Sequence, residues 1–134
     1  MPINGCSIAD SATTLSVEGG SAQIFTPDGV TVNNGVHVAA NAVEDFRVRP
    51  HATFVNKVPQ RKADGSWTMG TRTIKSTEPW LDPVTGIVHY VSCDTTIRFS
   101  PVIPAATFKN ARYKHLQFLF DSETENFNAN GDLS

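Results

Sequence analysis

The sequence predicts an α+β fold: an antiparallel up-and-down β-sheet that opens with an N-terminal hairpin and is followed by one C-terminal helix. Turn signals built on Gly, Pro, Asn and Asp recur about every 8 to 15 residues through the first two thirds of the chain. A long run from His89 to Phe99 alternates apolar and polar side chains, which is typical of a half-buried strand. After Pro101 and Pro104 the apolar spacing changes to that of a helix.

The strands are predicted in order along the chain, about six or seven in all. Short strands are expected at Thr14–Val17, Ala22–Thr26, Val30–Val32 and Val36–Ala40, separated by Gly-Gly, Asp-Gly and Asn-Gly turns. Two longer strands, Phe46–Val58 and Trp67–Thr77, follow. The prolines of the loop Glu78–Gly86 predict that this segment stays out of the sheet, because proline cannot donate to a strand ladder.

The C-terminal helix is predicted to begin near Thr107, which can act as a cap, and to end at about Asp121. The tail beyond it is expected to be a mobile end or a short final turn. We expect one domain over residues 1–134. It would comprise an N-terminal hairpin region (1–43), a main sheet (44–100) with a loop at 78–88, and the helix and tail (104–134).

Composition describes an ordered chain of 134 residues, 40% apolar and 18% charged, with a net charge of -2. The whole molecule therefore has no strong positive field, but its basic residues are concentrated. Seven of the 11 lie between positions 46 and 75, namely Arg47, Arg49, Lys57, Arg61, Lys62, Arg72 and Lys75. Local charge decides what a ligand meets at close range, because salt screens charges beyond about 8 to 10 Å.

Several function classes receive no support. We find no signal-peptide pattern and no apolar run long enough to span a membrane. Cys6 and Cys93 match no zinc or redox spacing, and Cys93 is expected to act as a small hydrophobe on the apolar side of its strand. The four histidines are scattered and no nucleophile motif surrounds them. We therefore expect no enzyme, no cofactor and no metal site, and a reducing or neutral compartment.

A polar face recurs on the three long strands and is the candidate binding site. It gathers cations for phosphates, hydroxyl groups for bases or sugars, and one tyrosine for stacking, which are the groups that recognise single-stranded RNA. The residues on this face are Arg47, Arg49, His51, Thr53, Val55 and Lys57 on the first strand, Thr71, Thr73, Lys75 and Thr77 on the second, and Tyr90, Ser92, Asp94, Thr96 and Arg98 on the third.

The predicted helix has an apolar stripe that requires a partner. The stripe comprises Phe108, Ala111, His115 and Phe118, with Leu116, Leu119 and Phe120 beside it. A helix of about 15 residues is roughly 22 Å long and cannot cover such a sheet. An uncovered apolar face would exceed what soluble monomers usually expose. The pattern thus predicts a homodimer, in which the sheets pair edge to edge and each helix packs across the partner's sheet.

In the order of its elements the chain resembles the coat proteins of the single-stranded RNA bacteriophages, the leviviruses. The segments that carry the resemblance are Thr73–Pro79, Tyr90–Ile97 and the helix with Phe108, Leu116 and Leu119. The resemblance implies a capsid subunit that dimerises and assembles into an icosahedral shell in the cytoplasm of the bacterial host. Its sheet would bind genomic RNA inside the shell, and an operator-like RNA hairpin would be a further ligand of the same face.

The resemblance also implies roles for individual residues. RNA-binding residues would be Arg49, His51, Thr53, Thr73, Lys75, Tyr90, Ser92 and Asp94. Among these, Thr73 and Lys75 would line an adenine pocket and Tyr90 would stack on a loop base. Dimer contacts would come from Phe108, Ala111, His115, Leu116 and Leu119. An assembly loop, bent in more than one way around the symmetry axes, would contain Pro79, Trp80, Leu81, Asp82 and Pro83.

Two other classes remain open from the residues alone. One is a carbohydrate- or peptide-binding β-domain, in which Trp67, Trp80 and Tyr90 form an aromatic platform. The other is a phage structural protein that binds no RNA. RNA that purifies with the protein would separate the second class from a coat protein.

Overall fold

The structure, a computed structural model, describes residues 7–120 and 124–131. Within them, five strands form one antiparallel sheet in the order β1-β2-β3-β4-β5. The strands are β1 (Thr26–Val32), β2 (Gly35–Ala39), β3 (His51–Lys57), β4 (Gly70–Leu81) and β5 (Val88–Phe99), and the helices are α1 (Ala105–Phe120) and α2 (Glu125–Asn130). The predicted up-and-down sheet followed by a C-terminal helix is confirmed, although with fewer strands than expected.

The chain forms two compact units. One is the sheet, from Gly20 to Pro101. The other combines the N-terminal residues up to Gly19 with the helical residues from Val102 onward. Neither helix in the described part of the chain is long and apolar enough to cross a membrane.

The N-terminal hairpin consists of β1 and β2. Its turn lies at the predicted Asn-Asn-Gly sequence, where Asn34 has a left-handed φ of 59°. Gly35 follows, and a side chain there would collide with the backbone carbonyl of Phe54 on β3, so the close approach of the two strands requires glycine. The predicted Asp-Gly turn at residues 27–29 was wrong, because these residues lie inside β1 at an irregularity of its register between Pro27 and Thr31.

Several predicted strands begin or end elsewhere. Residues 14–17 and 22–25 form no strand. The strand predicted over Phe46–Val58 begins only at His51, because the Asp45 side chain accepts a hydrogen bond from the Arg47 N–H (3.0 Å) and caps a short 3-10 helix, Phe46–Val48. The Pro50 that follows has no N–H to give to a ladder. Arg47 and Arg49 therefore lie outside the strand on which they were predicted.

The loop predicted at 78–88 was only partly right, because residues 82–87 form a turn whereas residues 78–81 and Val88 belong to strands. Strand β4 runs through Pro79 to Leu81, and Pro79 lies opposite Tyr90 in the β4–β5 ladder. Pairing between β3 and β4 ends at Thr77, so beyond that point no strand pairs with this side of β4, and β4 is an edge strand that can accommodate proline. The connection is a tight turn at residues 82–87, closed by a hydrogen bond from the Asp82 N–H to the Ile87 carbonyl (2.9 Å).

The helical unit also differs from the prediction at its ends. Helix α1 begins at Ala105, and the Pro104 carbonyl accepts from the Phe108 N–H (3.1 Å), so Thr107 lies inside the helix rather than capping it. The predicted end at Asp121 lies outside the described residues. Of the two alternatives for the tail, the short final turn is the nearer one: the six-residue helix α2 packs on the end of α1, where the buried Thr124 donates to the Phe118 carbonyl (2.8 Å).

Candidate functional site

The strand register places polar side chains in rows across one face of the sheet, which we call the polar face. Opposite residues of antiparallel strands point to the same side. Thr53 lies opposite Lys75, and Lys75 lies opposite Asp94. Parallel to this row run three others: His51–Thr77–Ser92, Val55–Thr73–Thr96 and Lys57–Thr71–Arg98. Of the predicted RNA-binding residues, all except Arg49 are on this face: His51, Thr53, Thr73, Lys75, Tyr90, Ser92 and Asp94.

Hydroxyl groups, the cations Lys57, Lys75 and Arg98, and the ring of Tyr90 are displayed together on the polar face. The hydroxyl oxygens of Thr73 and Thr96 are 3.3 Å apart, and those of Thr77 and Ser92 are 3.4 Å apart, so each pair shares one hydrogen bond and keeps further donor or acceptor capacity. The side chain of Lys75 is exposed. Tyr90 is 64% exposed, which leaves its ring open for stacking.

A histidine pair extends the polar face toward the hairpin and was not predicted. The rings of His37 on β2 and His51 on β3 have centroids 5.2 Å apart. His37 Nδ1 lies 2.8 Å from the Asp28 carboxylate, and this hydrogen bond holds the pKa of Asp28 below its ordinary range. The alternation of Val36, His37 and Val38 was the available signal for His37, since it places the ring opposite the apolar side.

The two arginines predicted on the polar face bind the loop that precedes β3. The Arg49 guanidinium donates twice to the Val43 carbonyl, from Nε (2.9 Å) and Nη2 (2.8 Å). Arg47 forms an ion pair with Asp45 at 2.9 Å, and this pair lowers the pKa of the carboxyl group. Part of the positive charge that the sequence concentrates between positions 46 and 75 is therefore engaged in contacts within this loop.

The other side of the sheet is apolar, and we call it the apolar face. Phe54 lies between Val36 and Ile74 in the register. Phe54 and Ile74, together with Ala52 and Val91, line an open hollow of about 420 Å³. Phe54 is 45% exposed and Val91 is 64% exposed, so large apolar groups on this face remain in contact with water.

Cys93 lies on the apolar face, as predicted, but it is exposed rather than buried. Its thiol is free, and the residue is one of those that line the hollow. Cys6 is outside the described residues.

The residues predicted to form an assembly loop are divided between two elements. Pro79, Trp80 and Leu81 are the last residues of β4, while Asp82 and Pro83 belong to the turn. Trp80 is 58% exposed, and its ring centroid is 6.1 Å from that of His89. The segment is thus a strand end with a tight turn.

One side of α1 holds the N-terminal segment, a contact that sequence reasoning missed. Gln117 is 6% exposed, and its side-chain amide bonds both backbone groups of Ala9, accepting from the N–H (2.8 Å) and donating to the carbonyl (3.0 Å). Asn110 accepts from the Ser11 N–H (2.8 Å). Lys114 pairs with Asp10 at 2.8 Å. The available signal was the helical spacing of these three polar residues.

The predicted dimer contacts lie on the other side of α1. Successive residues of a helix are about 100° apart, which places Phe108, Ala111, His115 and Leu119 away from the side that holds the N-terminal segment. Leu116 lies at the edge of this set. Leu116 and Leu119 are 41% and 50% exposed. The apolar side of α1 is therefore open, whereas its polar side is covered.

No protein-family model and no curated protein matches the sequence. Among solved structures, the chain is similar to the virus-like particle of bacteriophage GQ-907, with a TM-score of 0.89 and 30% identity over 98% of this chain and 99% of that chain. It shares its fold with the virus-like particle of Beihai levi-like virus 21, with a TM-score of 0.58 and 11% identity over 85% and 97% of the two chains. Because the first relative matches along almost all of both chains, this chain belongs to the coat proteins of the single-stranded RNA bacteriophages, the leviviruses, and is a capsid subunit.

Proposed function

We propose that this coat subunit is a non-catalytic structural protein that forms a homodimer and binds genomic RNA on its polar face, inside an icosahedral shell. The RNA proposal rests on one observation: all of the predicted RNA-binding residues except Arg49 lie on one side of the sheet. The shell would assemble in the cytoplasm of the bacterial host.

The chemistry of the polar face supports single-stranded RNA as its ligand. Lys75 supplies a positive charge for a phosphate, and Thr73 beside it offers a hydroxyl group for a base edge. Stacking of one base on the exposed ring of Tyr90 would contribute about 1–3 kcal/mol. Asp94 lies opposite Lys75 and moderates its charge, which favours a hairpin loop that places bases, rather than phosphates, near β5.

The sparse core supports the homodimer. In the described part of the chain, the buried hydrophobic residues are three alanines, Ala39, Ala40 and Ala52. An isolated chain of this kind leaves its larger apolar groups in water, which costs about 25 cal/mol for each Å². A second copy is the partner whose chemistry fits, because the apolar side of α1 and the hollow on the apolar face are both open.

A symmetric dimer in which the two helices are exchanged would cover both the apolar side of α1 and the hollow. If each α1 packs over the partner's hollow, every contact occurs twice, as in any two-fold dimer. Obligate contacts of this type commonly bury more than about 2,000 Å². The N-terminal segment reinforces this arrangement, since it already covers the polar side of α1 and leaves the apolar side for the partner.

Contacts between dimers are proposed to use the end of the β4–β5 hairpin. Trp80 provides exposed aromatic area there, and aromatic residues are enriched in subunit contacts. Because β4 remains a paired strand up to Leu81 and only residues 82–87 form a turn, inequivalent positions in the shell would be accommodated chiefly by that turn.

The test is size-exclusion chromatography of the expressed protein, read at 260 and 280 nm, with electron microscopy of the leading fractions. We expect particles that contain RNA. After disassembly, sedimentation should give a dimer that binds a labelled RNA hairpin. Empty particles that bind no hairpin would contradict the RNA proposal, and a monomer at micromolar concentration would contradict the dimer.

A further inference from the structure

The first histidine of the pair on the polar face, His37, is held by a carboxylate. Asp28 lies in the irregular part of β1, where Gly29 has a left-handed φ of 84°. The Asp28 Oδ1 atom accepts from the Val30 N–H (3.2 Å) and lies 2.8 Å from His37 Nδ1. Because an ionised carboxylate can only accept, Nδ1 carries the proton, and Nε2 is the remaining polar atom of the ring.

The second histidine, His51, has no comparable partner. Its ring centroid is 5.2 Å from that of His37, and within the residues that the structure describes no ion pair or side-chain hydrogen bond is formed by the His51 ring. Both histidines are half-buried, so part of each remains open to solvent. The pair therefore has one ring with a bound carboxylate and one ring that can accept an anion from outside the protein.

Protonation of the two imidazoles reverses the sign of the local charge. The hydrogen bond with His37 holds the pKa of Asp28 below its ordinary range, so this carboxylate stays ionised down to about pH 4. With both imidazoles neutral, the cluster of Asp28, His37 and His51 is a net anion. With both protonated it is a net cation, and free imidazole changes its charge near pH 6.5. A phosphate is thus repelled by the neutral pair and attracted by the protonated pair.

The charged groups on the neighbouring elements do not reproduce this change. Lys75 on β4 is in the same row as His37 but two strands away, at about 10 Å, and Asp94 on β5 is one strand farther. The other charged residues on these strands and on the loop before β3 are Glu44, Asp45, Arg47, Arg49, Lys57, Glu78 and Arg98. Carboxylates, lysines and arginines do not ordinarily titrate between about pH 5.5 and 8, so a change of charge in that range belongs to the histidines.

We propose that the His37–His51 pair, in its protonated form, is a second phosphate contact of the polar face, an inference that rests on the proposed RNA binding. The distance of about 10 Å from Lys75 leaves room for a phosphate other than the one at Lys75. Thr53 lies between His37 and Lys75 in the row, and its hydroxyl group can donate to either phosphate. Proton binding and RNA binding are then coupled, so affinity for RNA rises as pH falls.

The experiment measures the affinity of disassembled protein for a labelled RNA hairpin from about pH 8 to about pH 5.5, at constant salt and in buffers without phosphate. We expect the affinity to rise at least about fivefold, and the slope of log affinity against log salt to steepen by about 0.7 to 0.9, as for one added phosphate contact. His37→Gln and His51→Gln should each lose most of both changes. Asp28→Asn removes the negative charge of the cluster and should bind the hairpin more tightly than wild type at pH 8.

Two further variants are controls, and circular dichroism checks that each protein is folded. Lys75→Ala should weaken binding at every pH but retain the rise in affinity toward low pH. His89→Gln changes a histidine on the apolar face, opposite Trp80, and should behave as wild type. An affinity that does not change with pH, or a pH dependence retained in both His37→Gln and His51→Gln, would overturn the phosphate contact while RNA binding stands. Failure to bind the hairpin at any pH would overturn both proposals.

Discussion

The apolar side of α1 offers a direct test of the dimer at Leu119. Full burial of a leucine side chain is worth about 1.5–3 kcal/mol. Leu119 is 50% exposed in the chain, so its remaining burial in a dimer is worth about half of that, or roughly 0.8–1.5 kcal/mol for each copy. Both copies lose the contact in a symmetric dimer, which makes the total about 1.5–3 kcal/mol. We therefore expect Leu119→Ala to weaken dimerisation roughly 10- to 100-fold.

The substitution Leu119→Asp should have a larger effect, because it would also bury an unpaired carboxylate at a cost of several kcal/mol. We expect this variant to be monomeric at micromolar concentration and to form no particles. Sedimentation velocity over a dilution series gives the dimer constants, and circular dichroism checks that the helix is retained. The matched control is Thr107→Asp, which adds the same charge at an exposed position in the first turn of α1. If Leu119→Asp formed particles and had an unchanged dimer dissociation constant, the helix-exchange dimer would be refuted.

Three further predictions concern the polar face and the N-terminal segment. Lys75→Ala should lower the slope of log affinity for RNA against log salt by about 0.7 to 0.9, as for one lost phosphate contact, while Lys109→Ala on α1 should leave the slope unchanged. Gln117→Ala should reduce the free energy of unfolding by about 1–3 kcal/mol in denaturant titrations, because it leaves two backbone groups of the N-terminal segment without partners. The hydrogen bond from Lys114 lowers the pKa of Asp10. The stabilisation from this pair should therefore be constant above about pH 5 and lost as pH falls below about 4. The rate of proteolysis of the N-terminal segment, measured as a function of pH, would report this loss.

The polar face could be predicted from sequence because a strand alternates with a strict period of two. Once Tyr90, Ser92 and Asp94 are placed on one strand, their common face follows without knowledge of the rest of the fold. The same rule failed for Arg47 and Arg49, since the local Asp45 cap and Pro50 delay the start of β3. The alternation of side chains assigns a residue to a face only if that residue belongs to the strand, so the ends of the strand must be known first.

Contacts between distant segments were not predictable in this way. The pairing of Gln117 with Ala9 joins residues 108 positions apart, and the sequence of neither segment indicates that the other is its partner. Pro79 was misassigned for a related reason. Its effect depends on whether a neighbouring strand continues beside it, and the end of β3 pairing at Thr77 is a property of the whole sheet.

Substitutions on the two faces of the sheet are expected to cause different defects. The Lys75 side chain on the polar face is exposed and takes no part in the apolar hollow, so its loss should leave the dimer and the particle intact while RNA content falls. Substitutions on the apolar face, such as Ile74→Asp, should abolish the dimer, and RNA binding should fall with it because a hairpin contacts both sheets only when they are joined. Ile74 and Lys75 are neighbours on one strand, yet they point to opposite faces. A loss of assembly in both variants would show that the faces do not act independently, and would contradict the division of labour proposed for them.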